Sequence, residues 1–235
     1  MNVTPIMNSK LTIALLAAAA LSARGQTYIA EDHVDIGIGY DAGAFDLHIH
    51  QEEPVDTEYA PDEAVFLIGD NARQLSPGGA FAGFLGSAGN AVWILPDEEV
   101  AGLPFLGFGT EELTASDWLS NISLSVTGVN GPGEFSIWSV GSFGAPSLRV
   151  NSTDGLNGSD VLSLIPGSHG HFNLGFTAPG VYEVDFVASG THATDGVITT
   201  GPATYRFEVV PEPSTWALLI LGGAGLVALG RRRNH

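Results

Sequence analysis

Apolar and polar side chains alternate through most of residues 27–210. The runs HVDIGIGY (33–40), AFDLHIH (44–50), ISLSVTG (122–128), EFSIWSV (134–140), HFNLGFT (171–177), VYEVDFVA (181–188) and TYRFEVV (204–210) all follow a period of two. That period belongs to strands with one buried face. Gly, Asp, Asn and Pro punctuate the runs in YDAGAF, VNGPGEF, TAPGVY and TDGVITTGP, and each supplies turn chemistry. The short DAG between the first two runs predicts a hairpin. No twelve-residue window of the body repeats convincingly at 3.6, although TEELTASDWLSN (110–121) has room for one short helix.

Short strands separated by turns predict an all-β fold, an antiparallel immunoglobulin-like β-sandwich. In APGVYEVDF, Tyr182 follows a tight turn at a strand start, as in sandwiches of that kind. The stretch from Gln51 to Gly109 is less regular. Its SPGGAFAGFLGSAGNAVWILP segment reads as a long Gly-rich loop feeding one buried strand, AVWIL. These glycines lack the strand-then-helix order of a nucleotide loop.

The two ends depart from the pattern. Residues 1–25 combine Lys10, the apolar run LTIALLAAAAL and the small-residue zone SARGQ, the layout of a secretory signal peptide. At the other end, residues 214–230 form an uncharged stretch of 17 residues followed by Arg231, Arg232 and Arg233. That is near the lower limit for a membrane-crossing helix, and the arginines favour the cytoplasmic side. Three segments are therefore expected: a signal peptide (1–25), a β body (26–210) and a C-terminal segment (211–235) with a transmembrane helix.

Charge sharpens the picture of the body. Between residues 26 and 210 only Arg73, Arg149 and Arg206 oppose 25 acidic residues, a balance of −22. Such a surface repels phosphate backbones and anionic lipid, so no nucleic-acid partner is expected, and membrane contact only through the C-terminal helix. It would concentrate cations. Cysteine is absent, which removes disulfides and thiolate metal ligands from consideration.

Histidine is the informative residue. Apart from His235, the histidines fall in two regions: His33, His48 and His50 in the first hairpin, and His169, His171 and His192 around the strands near residues 169–192. Two His-x-His pairs on strands put neighbouring imidazoles on one face, about 7 Å apart along the chain. That spacing lets ring nitrogens converge on one ion. Zinc suits a nitrogen-rich site without cysteine, and copper or nickel would tolerate it. Asp35, Asp46, Glu52 and Glu53 are auxiliary candidates, as ligands or as acceptors that orient a ring. Whether the two pairs share one ion or hold two is left open by spacing.

Two resemblances extend this reading. The order Pro211-Glu212-Pro213, apolar stretch, Arg231 to Arg233 resembles a PEP-CTERM sorting signal. The resemblance implies processing by a membrane enzyme of the exosortase type. It also implies a place in the cell envelope, outer surface or extracellular matrix of an exopolysaccharide-making Gram-negative bacterium. In the body, SHGHFNLGFTAPGVYEVDFVASGTHATDGVITTGPATYRFEV resembles the actinobacterial surface-anchored repeat, and EDHVDIGIGYDAGAFDLHIHQEE resembles the opening of the choice-of-anchor M domain. That family's association with zinc-regulated genes and metal uptake implies that the histidines bind a metal acquired under starvation. Leu174 stands where the family has Trp.

The resulting expectation is an exported zinc-binding protein with metal ligands His33, His48, His50, His169, His171 and His192. Its expected partners are an exosortase-type enzyme, a divalent metal and an exopolysaccharide or metal-uptake system. The competing reading is a structural or adhesive exopolysaccharide-matrix protein without catalytic activity. A metallohydrolase with Glu52 or Glu53 as base ranks behind both. Ser168 beside His169 lacks the Gly-x-Ser-x-Gly elbow of a serine hydrolase.

Overall fold

Six of the seven alternating runs each become one strand, and HFNLGFT (171–177) is split between two sheets at Phe172. The computed structural model describes residues 25–211. The expected signal peptide, save Gly25, and the C-terminal segment beyond Pro211 lie outside the described residues. In chain order the strands are β1 (Thr27–Ile29), β2 (His33–Asp41), β3 (Ala44–Gln51), β4 (Thr57–Tyr59), β5 (Ala64–Ile68), β6 (Arg73–Leu75), β7 (Ala91–Leu95) and β8 (Phe105–Gly109). They continue with β9 (Ile122–Asn130), β10 (Phe135–Val140), β11 (Pro146–Asn151), β12 (Val161–Leu164), β13 (His169–His171), β14 (Asn173–Phe176), β15 (Gly180–His192), β16 (Gly196–Thr199) and β17 (Ala203–Val209). One short helix, α1 (Ala82–Leu85), precedes β7. Among the described residues no helix is long and apolar enough to cross a membrane.

The strands form three sheets. The largest runs β1-β5-β17-β15-β9-β12, with β16 beside β15; the second runs β11-β10-β14-β7-β6; the third runs β13-β8-β2-β3-β4. The large sheet packs against both smaller ones. Phe207 of β17 lies 5.9 Å and 5.4 Å, ring to ring, from Phe135 and Phe176 of the second sheet. Phe186 of β15 lies 6.1 Å from Phe108 of the third, and the Tyr205 hydroxyl donates to the His48 carbonyl at 3.2 Å. One apolar core collects the inward residues of all three sheets. The chain passes from the third sheet to the second at Phe172, between β13 and β14.

Two expectations need correction. The sheets are mixed rather than wholly antiparallel: β1 with β5, β5 with β17 and β2 with β8 pair in parallel. Local turn signals specify hairpins such as β2–β3, whereas these parallel neighbours are joined by long excursions through other sheets. Second, Gln51 to Gly109 is more regular than its sequence suggests, although AVWIL does form the expected buried strand, β7. The stretch contributes five strands, among them β5 (AVFLI) and β8 (FLGFG). Four of the five residues in each are buried, so neither shows the alternation that marks a half-exposed strand. The stretch 110–121 holds only a single 3₁₀ turn, Ala115–Asp117.

The hairpin between β2 and β3 turns through Ala42 (φ 48°) and Gly43 (φ 89°), the two left-handed residues of a type I′ turn. Full pairing from Val34–Gln51 to Asp41–Ala44 follows. The Tyr182 expectation is met in detail. Its ring is fully buried, and its hydroxyl donates to the Ala178 carbonyl at 2.8 Å and accepts from the Ala178 N–H.

Candidate metal centre

The register of the third sheet collects the histidines on its outer face. Phe45, Leu47 and Ile49 of β3 and Val34, Ile36 and Ile38 of β2 point into the core. Strand alternation therefore puts His48, His50, His33 and Asp35 on the opposite side. Across the strands one row reads His171, Gly107, Asp35, His50, Glu58. The next reads His169, Gly109, Gly37, His48.

Glycine on the central strands makes the polar face concave. A Cβ at Gly107 would lie 1.9 Å from Asp35 Oδ1 and 3.0 Å from His171 Cε1. At Gly37 it would lie 2.2 Å from His48 Nε2, and at Gly109 2.7 Å from Glu111 Oε2. The side chains thus lie down over bare backbone. The resulting cleft of about 300 Å³ is lined by Asp35, His48, His50, Glu52, Glu111 and Glu112 among others, and no lysine or arginine borders it.

His33, His169 and His171 each offer a ring nitrogen within 4.8 Å of the other two. Their Nδ1 atoms are already committed. His33 Nδ1 meets Glu52 Oε2 at 2.8 Å, His169 Nδ1 meets a Glu111 carboxylate oxygen, and His171 Nδ1 meets the Leu106 carbonyl at 3.2 Å. Carboxylates and carbonyls only accept, so each Nδ1 is the donor, and in the neutral ring Nε2 is then the lone-pair nitrogen. A histidine ligand held from behind in this way is the usual outer-shell arrangement of a zinc site. His171 also stacks on Phe105, ring centroids 3.7 Å apart.

Unpartnered buried atoms concentrate here. Of seven buried side-chain nitrogens and oxygens without a hydrogen bond among the described residues, four are His33 Nε2, Asp35 Oδ1 and both ring nitrogens of His48. Leaving such a group unsatisfied costs about 1–3 kcal/mol. His33 Nε2 and Asp35 Oδ1 face each other at 3.7 Å, too far for a hydrogen bond. Burial pushes the Asp35 carboxyl above its ordinary range; His33 and His169 pull it down, and Glu111 and Glu52 add to the rise. Burial also holds the His171 imidazole below its ordinary value, against its bond to Leu106. His33 lowers the Glu52 carboxyl by hydrogen bonding to it.

The turn after β8 supplies carboxylates to both halves of the cleft. Thr110 is fully buried. It exchanges backbone bonds with Ser168 and Gly167, and its hydroxyl lies 2.7 Å and 2.8 Å from the Ile165 and Ser168 carbonyls. That clamp fixes the turn beside the start of β13. Glu111 then reaches His169, while Glu112 Oε1 lies 3.0 Å from His48 Nε2 without hydrogen-bond geometry. The Ser168 hydroxyl donates to the Ile165 carbonyl at 2.7 Å, a turn contact.

The six histidines singled out in the sequence divide four ways. His33, His169 and His171 come together. His48 lies further along the same face and groups with Glu58 and Glu112. His50 lines the cleft, its Nε2 held at 2.7 Å by Asp56; burial draws its pKa down, but the Asp56 bond and the nearby acids outweigh that and raise it. His192 stands apart, 3.0 Å from Asp195 and ringed by Tyr40 and Trp118. Tyr40 packs against the core, so His192 meets β2 from the opposite face. Of the acidic auxiliaries, Asp35 and Glu52 take part, whereas Asp46 and Glu53 lie outside the three close-set His and carboxylate groups. Glu58, Glu111 and Glu112 were not among the sequence candidates.

Beyond the body, residues 209–234 match the PEP-CTERM protein-sorting motif. No curated protein and no solved structure matches the chain. The motif implies an exported, cell-envelope-associated protein processed by an exosortase, with Pro211, Glu212, Pro213 and Arg231 to Arg233 inside the matched segment.

Proposed function

We propose that this exported protein binds a transition-metal ion, zinc foremost, on the outer face of its third sheet. The ligands in this reading are the Nε2 atoms of His33, His169 and His171, with Asp35 as fourth ligand or close counter-charge. The observation that carries it is the commitment of all three Nδ1 atoms to acceptors beside a buried carboxylate with one unpartnered oxygen. Three imidazoles and a carboxylate suit a tetrahedral zinc site. The acidic surroundings favour capture of a cation.

Such a protein would sit on the outer surface or in the matrix of a Gram-negative cell and serve metal acquisition under starvation. This role agrees with the likeness of the body's two ends to the choice-of-anchor M domain, and with a sandwich-like packing of immunoglobulin type. A metal-uptake system would be its natural partner.

Equilibrium dialysis against zinc tests the reading. The wild type is expected to bind, and the His33→Ala/His171→Ala double variant to lose at least tenfold in affinity. Equal binding by both would overturn the assignment.

A further inference from the structure

His48 is the buried histidine that the three-histidine cluster does not use. It is only 5 % exposed, and neither ring nitrogen has a hydrogen bond. Its Nε2 lies over Gly37, where even a methyl group would collide. The ring is aimed at Glu112, and Glu58 approaches from β4, so that one ligand atom from each of the three lies within 4.8 Å of the others. Glu112 itself lies over Gly39, whose added Cβ would sit 2.6 Å from Glu112 Oε2. Removal of side-chain bulk at two positions of β2 thus makes room for this trio.

Hydrogen bonding does not account for the arrangement. Two half-exposed or exposed glutamates are free to turn to water, yet one of them is held at 3.0 Å from an imidazole nitrogen it does not bond. A cation between them would relieve both the carboxylate repulsion and the orphaned ring nitrogen.

We propose that His48, Glu58 and Glu112 form a second divalent-cation site, distinct from the three-histidine cluster. The two sets share no ligand, so this inference stands without the zinc reading. Their chemistry differs as well. One imidazole with two carboxylates is a harder donor set than three imidazoles, and it accepts manganese-class ions as well as zinc. Adjacent residues Glu111 and Glu112 serve the two sides, which ties the geometry of each site to the same turn.

Manganese alone, added to the full chain in detergent, provides the test. Free aqueous Mn²⁺ gives a sharp paramagnetic resonance signal that broadens away when the ion is bound. One bound ion per chain is expected for the wild type, weakened at least tenfold by Glu112→Gln and by His48→Ala. Glu112 is on the surface, so its variant keeps the test valid even if His48→Ala misfolds. The His33→Ala/His171→Ala variant is expected to bind manganese as the wild type does. Free manganese with the wild type, unchanged binding by Glu112→Gln, or loss of manganese in the double variant would each overturn the second site. Failure of the three-histidine reading would appear instead as unchanged zinc affinity in that same double variant.

Discussion

The outer faces of the two smaller sheets use one device for opposite ends. On the second sheet, Gly175 of β14 makes room for Leu85, Trp138 and Ser136; a Cβ there would lie 2.7 Å, 2.8 Å and 2.9 Å from them. Helix α1 closes over that hollow, and Phe84, Leu85, Val92, Ile94 and Trp138 become a small satellite core. On the third sheet, Gly37, Gly107 and Gly109 make an equivalent hollow, filled by His48, Asp35, His171 and Glu111. No helix covers it. Both sheets back onto the same large core, so neither outer face is needed to close the main fold. An apolar hollow is filled for stability, whereas a polar hollow lined by carboxylates and unpartnered nitrogens carries the cost of unsatisfied buried groups, which the proposed ion would offset.

The largest effect separating the two faces is expected from Trp138→Ala. Truncating a buried Trp costs about 3–5 kcal/mol, read by urea unfolding, with zinc affinity unchanged. A change in zinc binding would mean that the two faces are coupled.

Paired glycine substitutions come next. Gly175→Ala forces overpacking against Leu85 and Trp138 and should cost about 1–3 kcal/mol of stability. Gly107→Ala meets the end of the Asp35 side chain, which can swing away. Its main effect should be a 10–100-fold loss of zinc affinity, the size expected when a ligand's support is removed. Similar stability losses without a metal effect would erase the distinction between the hollows.

Asp35→Asn should act in opposite directions on the two states. The folded pKa of Asp35 is raised above its unfolded value. Its favourable contribution is therefore present below the unfolded pKa and lost as pH rises through the folded one. At pH 7 the neutral isostere should make the metal-free protein more stable by about 1 kcal/mol, the cost of one unsatisfied buried group. That corresponds to a Tm rise of roughly 2–4 °C. The same variant should lose most of the stabilisation that zinc gives the wild type. A wild-type protein more stable than the variant without metal would contradict the account. Smallest of all is Asp56→Asn, which removes a surface partner of His50 and should cost a few tenths of a kcal/mol. Because the His50 pKa is raised, that loss should be present below the unfolded pKa and fade as pH climbs through the folded one.

Much of this architecture is legible in the chain. Alternation identifies β3, β9, β15 and β17 because each has one face in the core and the other largely open; it also identifies β2 and β10, whose polar and apolar residues alternate although both faces are largely buried. It misses β5 and β8, which are buried on both sides. The histidines stand out because they are few and doubled at i, i+2, and five of the six do share one face. His192 is the last residue of β15, and that strand's sheet meets β2 from the core side. The carboxylates are harder to find. With 25 acidic residues in the body, nothing local distinguishes Glu58, Glu111 and Glu112, whose positions depend on which strands lie side by side. A signal for the hollow was present in IGIG (36–39) and LGFG (106–109), where glycine occupies both outward positions of each run between large inward side chains. Reading glycine only as a turn residue hides it.

X-ray absorption at the zinc edge of the protein loaded with one equivalent of zinc tests the central claim most directly. The account predicts nitrogen and oxygen scatterers at about 2.0–2.1 Å with the outer-shell pattern of three imidazoles, lost in His33→Ala/His171→Ala. A first shell of oxygen alone, without imidazole scattering, would contradict it.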